Sequence, residues 1–395
     1  MARLEEICSL ITDGSHFSPE DEGVGYPMFS VKDMTPNGFN ISGCKKIGEE
    51  AYKKLVTNGC KPLNDDVVVA KDGSYLKTAF VIKGNPEIAL LSSIAILRPK
   101  IDLVVPEYLS YFLKSDAVYR TVSLNYITGT ALKRIILKGI RKIEVDLPDI
   151  GEQEQRAQRL SKVDYLCQLR KQQLAKLDEL VKARFVEMFG DPDQNPKGWP
   201  LVSVTEIIRD KASNGFFAKR DAYKDDGNVQ ILGVSNVVNR MYSNTKELPR
   251  TNATQAEKEK YSVKYGDMLF CRSSLVADGI GKASIVAKGT FPNVLFECHV
   301  IRLSLDLQKC VPEFVQVLST TPFFRRQIIA QSKTATMTTI GQDGILKSSV
   351  VLPPIDLQNQ FAAFVERVDQ QKQTVQQSLE KLELMKKALM QEYFG

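Results

Sequence analysis

The sequence predicts an α+β protein: two similar mixed α/β domains separated by two long helices that pair as an antiparallel coiled coil, the whole an internal repeat with pseudo-two-fold symmetry. One stretch occurs twice, from Leu147-Pro148-Asp149-Ile150 to Phe189-Gly190 and from Leu352-Pro353-Pro354-Ile355 to Phe394-Gly395. The displacement is 205 at both ends (353−148, 394−189), so no residue has been inserted between them. Leu160, Cys167, Leu174, Val181 and Met188 recur every seven residues, joined by Val163 and Leu177; Phe361, Val368, Val375, Leu382 and Leu389 do the same, joined by Val365 and Leu379. Neither copy contains an internal proline or a glycine past its first turn, and Lys, Arg, Glu and Gln fill the remaining positions, the signature of a supercoiled helix pair.

The flanking segments repeat more loosely. Leu4-Glu5-Glu6-Ile7 resembles Val204-Thr205-Glu206-Ile207, and Asp13-Gly14-Ser15-His16-Phe17 sits where Asn214-Gly215-Phe216-Phe217 does. The β-branched run from Asp66 to Ala70 matches Asp267 to Cys271, Pro106 and Pro312 each open a helix, and Thr128-Gly129-Thr130 lines up with Thr334-Ala335-Thr336. The domain order is therefore a first domain over 1–150, a helix over 151–190, a linker over 191–200, a second domain over 199–354 and a second helix over 355–395.

A helix of about 38 residues spans roughly 57 Å, and the linker stretches at most about 30 Å. The second domain must then begin near the far end of the first helix, and the second helix must run back along the first. The expected object is a rod with a domain at each end.

A chain of 395 residues suits two cores rather than one. No apolar run is long enough to cross a bilayer, and the N-terminal residues lack the order of a signal peptide. Seven cysteines without a Cys-x-x-Cys pair read as reduced thiols in a cytoplasmic protein. Residues 199–354 hold 20 basic and 14 acidic groups, the whole of the net +6, a modest surplus compatible with a polyanion partner.

Catalysis finds little support. The two histidines are far apart, and Gly279-Ile280-Gly281-Lys282 lacks both the preceding glycine and the following Ser/Thr of a phosphate loop. Cys298-His299 has no further ligands for a metal and reads as a buried structural pair. Neither S-adenosylmethionine nor ATP has a visible site.

The Leu-Pro-x-Ile-x-x-Gln-x-Gln entry to each helix, Asp-Gly-Ser-His-x-x-Pro from Asp13 to Pro19, and Phe189-Gly190-Asp191-Pro192 followed by Gly198-Trp199-Pro200 together resemble the specificity subunit of type I restriction–modification enzymes. The similarity covers essentially the whole chain. It implies two target-recognition domains and a non-catalytic subunit that reads a bipartite, asymmetric site on double-stranded DNA. It also implies two methylation subunits recruited through the central helices, restriction subunits recruited through those, and S-adenosylmethionine and ATP used on the partners. A methyltransferase or nuclease acting alone, and a coiled-coil scaffold binding only proteins, are the alternatives.

Base reading needs hydrogen-bonding side chains on loops, with cations nearby for phosphate. The loop after the Asp66 strand offers Lys71, Ser74, Tyr75 and Lys77; its counterpart offers Arg272, Ser273, Ser274 and Lys282. A second set is Lys133 and Arg134 with Thr334, Thr336 and Thr338. A third is His16 and Phe17 with Phe216, Phe217, Lys219 and Arg220, for whose aromatic residues core packing is the stronger expectation.

Overall fold

The computed structural model describes all residues except Ser74, 129–132 and Thr290, and the side chains of Thr128, Arg220 and Ala277 are likewise outside the description. Residues Met1–Lys171 and Gln377–Gly395 form one compact unit and Gln172–Gln376 a second.

The first unit is built on an antiparallel four-stranded sheet in the order Cys8–Asp13, Ile94–Pro99, Val67–Ala70, Ala79–Val81. Its central strands are apolar on both faces, Val67 to Val69 and Ile94 to Leu97 being completely buried, because helix Pro106–Leu113 covers one face and a smaller sheet the other. That smaller sheet pairs Tyr26–Phe29 antiparallel with Lys45–Ile47 and parallel with Ala89–Leu90. Strand Ala2–Arg3 closes the unit against Glu144–Val145.

The second unit repeats this topology. Its four-stranded sheet runs Ser213–Asn214, Val300–Ser304, Asp267–Cys271, Ala283–Ile285, and its mixed sheet runs Arg250–Thr251, Val229–Leu232, Val294–Phe296, again with one antiparallel and one parallel pairing. Leu201–Ser203 pairs with Ser349–Val351, as Ala2–Arg3 does with Glu144–Val145. Gly14 and Gly215 mark the same close approach in each. A Cβ would lie 2.1 Å from the Leu90 carbonyl oxygen at one and 2.2 Å from that of Glu297 at the other, so only glycine fits.

The long helices are Ile150–Phe189 and Ile355–Phe394, 40 residues each. In the first unit Arg156 bonds the Tyr393 carbonyl, Asp164 pairs with Lys386 and Lys171 with Glu383, a descending register that makes these segments antiparallel. In the second unit Asp178 pairs with Lys372, and Phe185 and Phe189 pack on Phe361, with the same sense. Of the heptad residues, Leu160, Val163, Cys167, Phe361, Val365, Val368, Val375 and Leu379 are buried, and Leu174, Leu177, Val181, Met188, Leu382 and Leu389 are half-buried. The heptad count missed Phe185, which is 1% exposed at the center of the second core, because it lies between the positions of Val181 and Met188.

The stretch read as a linker is a built turn. Gly190 ends the helix at φ 81°, Trp199 Nε1 donates to the Phe189 carbonyl at 2.9 Å, and Asn195 closes on Trp199 through both backbone N–H and C=O.

Candidate nucleic-acid interface

In the second unit, two sequence-distant candidate sets meet in one small sheet. Ser273–Ser274 pairs antiparallel with Thr338–Thr339, which pairs in turn with Lys333–Thr334. The Thr334 and Thr338 hydroxyls lie 3.0 Å apart, and Thr336 is exposed at the hairpin between them. Arg272 Nη1 donates to the Cys298 carbonyl at 3.2 Å, anchoring the strand leading into the sheet. The Ser273 hydroxyl sits 2.8 Å from His299 Nδ1. The result is a ledge on which Thr334, Thr336, Lys333 and His299 are exposed and Ser273 and Ser274 half-buried, a mixed donor and acceptor surface of the kind base edges need. Thr338, 2% exposed, lies beneath it and is corrected as a direct contact.

His299 corrects one expectation. Cys298 is half-buried but His299 is exposed, since its backbone serves the sheet (its carbonyl accepts from the Arg272 amide at 2.8 Å) while its ring turns outward. Burial pushes the Cys298 thiol up, which disfavors the thiolate a metal would need. Among the described residues no group of His, Cys, Asp and Glu is arranged for a metal. Lys282 stands apart from the ledge, ion-paired to Asp278 at 2.8 Å and holding that carboxyl below its ordinary range.

The first unit has a matching arrangement. The Asp72 and Arg134 backbones form an isolated antiparallel β-bridge, the Gly73 amide donates to the Lys133 carbonyl at 2.8 Å, and Ile127–Thr128 pairs with Arg134–Ile135. Lys133, Arg134 and Lys77 are exposed. Lys71 and Tyr75 are not, and as direct contacts they need correction. Lys71 is 8% exposed and ion-paired with Asp13, and Tyr75 is 4% exposed, stacked on Tyr119 with its hydroxyl 3.0 Å from Ser123. A buried ammonium held by a carboxylate cannot also reach a phosphate, and a buried phenol engaged by Ser123 cannot reach a base, so both residues shape the loop from below. Ser74, Gly129 and Thr130 lie outside the described residues.

In the third set the outcome is divided. Phe216 packs in a small core, as expected, whereas Phe17 and Phe217 are 68% and 69% exposed. His16 is exposed beside Asp13, at 3.6 Å, and Lys219 is exposed; the Arg220 side chain is outside the description.

Residues 1–179 match the family described as the type I restriction modification DNA specificity domain. The EcoKI specificity subunit of Escherichia coli K12 is 23% identical over 339 residues, 80% of this chain and 70% of that protein. The chain is thus similar to type I restriction–modification specificity subunits. The StySPI specificity subunit of Salmonella potsdam is 25% identical over 288 residues, covering 69% of this chain and 60% of that one. The S subunit from M. genitalium superposes with a TM-score of 0.58 over 100% of this chain and 95% of that one, at 13% identity. A chain solved in work on type I complex assembly gives 0.51 over 100% and 96%, at 16% identity. These superpositions show a shared fold. No helix among its described residues is long and apolar enough to cross a membrane.

Sequence reading missed Lys333 and His299 at the ledge. Lys333 was legible in principle, as the cation next to Thr334. His299 was not, because only the pairing of strands separated by 26 residues (299−273) brings it to Ser273.

Proposed function

We propose that this chain is the DNA-reading subunit of a type I restriction–modification complex, recognizing a bipartite, asymmetric site with one half-site per unit. The observation that carries the reading is the duplicated edge: strands 72–73 with 133–135 in one unit, where Lys133 and Arg134 are exposed, and 273–274 with 333–339 in the other, where Lys333 is exposed and Arg272 half-buried. The two edges differ in side chains, Lys77, Lys133 and Arg134 against Arg272, Lys333, His299 and the hydroxyl ledge, so they would read different bases. The charged outer faces of the long helices would receive two methylation subunits, with S-adenosylmethionine bound there and ATP on restriction subunits beyond them.

The test is a footprint on a bound site together with methylation assays, the chain alone and with methylation subunits added. Two separated protected patches and adenine methylation only in the mixture are expected. Arg272→Glu with Lys333→Glu should erase one patch, and Lys133→Glu with Arg134→Glu the other. Affinity unchanged by either pair at low salt, where phosphate contacts weigh most, would favor a scaffold that binds proteins only.

A further inference from the structure

The two units treat one carboxylate differently. In the first, Asp164 is closed in: the Tyr111 hydroxyl donates to it at 2.9 Å, Lys386 pairs with it at 2.5 Å, and the Lys114 ammonium lies 4.5 Å above the Tyr111 ring. The repeat puts Asp369 at the same position in the second unit (369−164 = 205) and Val181 where Lys386 stands (386−181 = 205). Through Pro106 and Pro312 (312−106 = 206), Val317 replaces Tyr111 and Thr320 replaces Lys114. Two long cations and a phenol have become two valines and a threonine.

What they leave is a cavity of about 400 Å³ with Asp369 in its wall and Val181, Met241, Val317 and Val368 lining it. Among the described residues Asp369 accepts one hydrogen bond, from Gln373 Nε2 at 2.7 Å. Cations around the cavity are engaged elsewhere: Lys372 with Asp178 at 2.6 Å, Lys282 with Asp278 at 2.8 Å, and Arg325 with the carbonyls of Ile280 and Asp278 at 2.7 and 2.9 Å. Arg240 donates to the Ser235 carbonyl at 3.4 Å. Lys182 recurs as Lys387 (387−182 = 205), so it does not distinguish the units. Burial raises the Asp369 carboxyl against the opposing pull of Gln373 and Lys372, the behavior of a carboxylate short of positive charge.

We propose that this cavity binds a small organic cation, a primary amine on an apolar stem, with the ammonium on Asp369 and the stem against Val181, Val317 and Val368. Such a ligand restores the lysine that the repeat leads one to expect there, and the apolar walls reward a stem of similar length. The inference concerns the second unit alone and stands whether or not the chain reads DNA.

The experiment titrates cadaverine, a diamine with a stem of lysine length, into the purified full chain by calorimetry and follows thermal unfolding. Saturable binding with a rise in Tm is expected for the natural chain. Asp369→Asn, which keeps shape and removes charge, should weaken binding at least tenfold, about 1.4 kcal/mol. The double variant Val181→Lys, Val317→Tyr should abolish binding by filling the site with the first unit's own groups, and its Tm without amine should rise. Absence of saturable binding at millimolar cadaverine overturns the proposal. Binding retained in Asp369→Asn overturns it too, because the amine then sits on another acidic surface. If the double variant fails to fold, the near-isosteric Asp369→Asn decides alone.

Discussion

Gln153 accepts a hydrogen bond from the Val105 backbone amide at 2.9 Å, and Gln358 accepts the same bond from Val311, also at 2.9 Å. Each also donates through Nε2 to the proline carbonyl five residues earlier, at 2.9 and 2.8 Å. The glutamines are 1% and 0% exposed. Each locks the start of a long helix to the loop entering the helix at Pro106 or Pro312, which explains the Gln in the duplicated Leu-Pro-x-Ile-x-x-Gln entry. Gln153→Ala strands a buried amide and two carbonyls, at about 1–3 kcal/mol for an unsatisfied buried group. A clear drop in denaturant midpoint is expected for it, and an equal one for Gln358→Ala. An unchanged midpoint would show that water replaces the side chain.

Phe189 and Phe394 end the long helices, yet they should not be equally costly to lose. Phe189 is 2% exposed and packs on Phe185, Phe314 and Phe361, with ring centroids 5.1, 4.8 and 5.4 Å away. Phe394 is 9% exposed and meets Tyr108 at 5.1 Å and Phe112 at 6.0 Å. Truncating a buried phenylalanine costs about 3–5 kcal/mol, so Phe189→Ala is expected within that range and Phe394→Ala at or below its lower end. Thermal unfolding of the two single variants checks the order.

Periodicity makes part of the fold legible in the sequence, and the rest depends on contacts between segments far apart in the chain. Heptads located the seam because Leu160 and Phe361 must face inward whatever surrounds them. The strand following Asp66 was legible from its β-branched run, and its counterpart from the repeat. Burial of a charge was not: Lys71 looks like any loop lysine until the fold sets Asp13 against it, 58 residues away (71−13). His299 likewise becomes a ledge residue only through strand pairing. Phe185 escaped because a real seam tolerates a large residue beside the formal heptad position.

Asp66 and Asp267 are equivalent, both 0% exposed, and differently compensated. Arg98 binds Asp66 through Nε and Nη2 at 2.8 and 2.9 Å, whereas Asp267 has the Ser304 hydroxyl at 2.7 Å and the Lys264 amide at 2.9 Å. Burial raises the Asp267 carboxyl. A raised folded value means that its contribution is fully present below the unfolded pKa and lost as pH rises through the folded one. Asp267→Asn should therefore flatten the stability profile above pH 4 and leave the protein at least as stable at neutral pH. Asp66→Asn should destabilize by about 1–3 kcal/mol, less than a fully buried pair because the Arg98 side chain is 35% exposed. Urea midpoints of both variants at acid and neutral pH separate the cases.

Lys114 offers a test on the alkaline side. Its ammonium lies over the Tyr111 ring, where burial first, and the nearby Lys386 second, lower it to about 8, with Asp164 opposing. Below that value the lysine is charged in both states, and the folded protein bears the cost of a desolvated ammonium. Between about pH 8 and its ordinary value near 10.5, the folded state has released the proton and the unfolded chain has not. The unfolded state then binds more protons, so this group adds stability as pH rises through that window. Lys114→Met keeps the stem on the tyrosine face and removes the titration. The variant should be more stable than the natural chain at pH 7, with the gap narrowing toward pH 10, as read from Tm at matched ionic strength. A gap that stays constant across the window would mean that the Lys114 head reaches solvent in both protonation states.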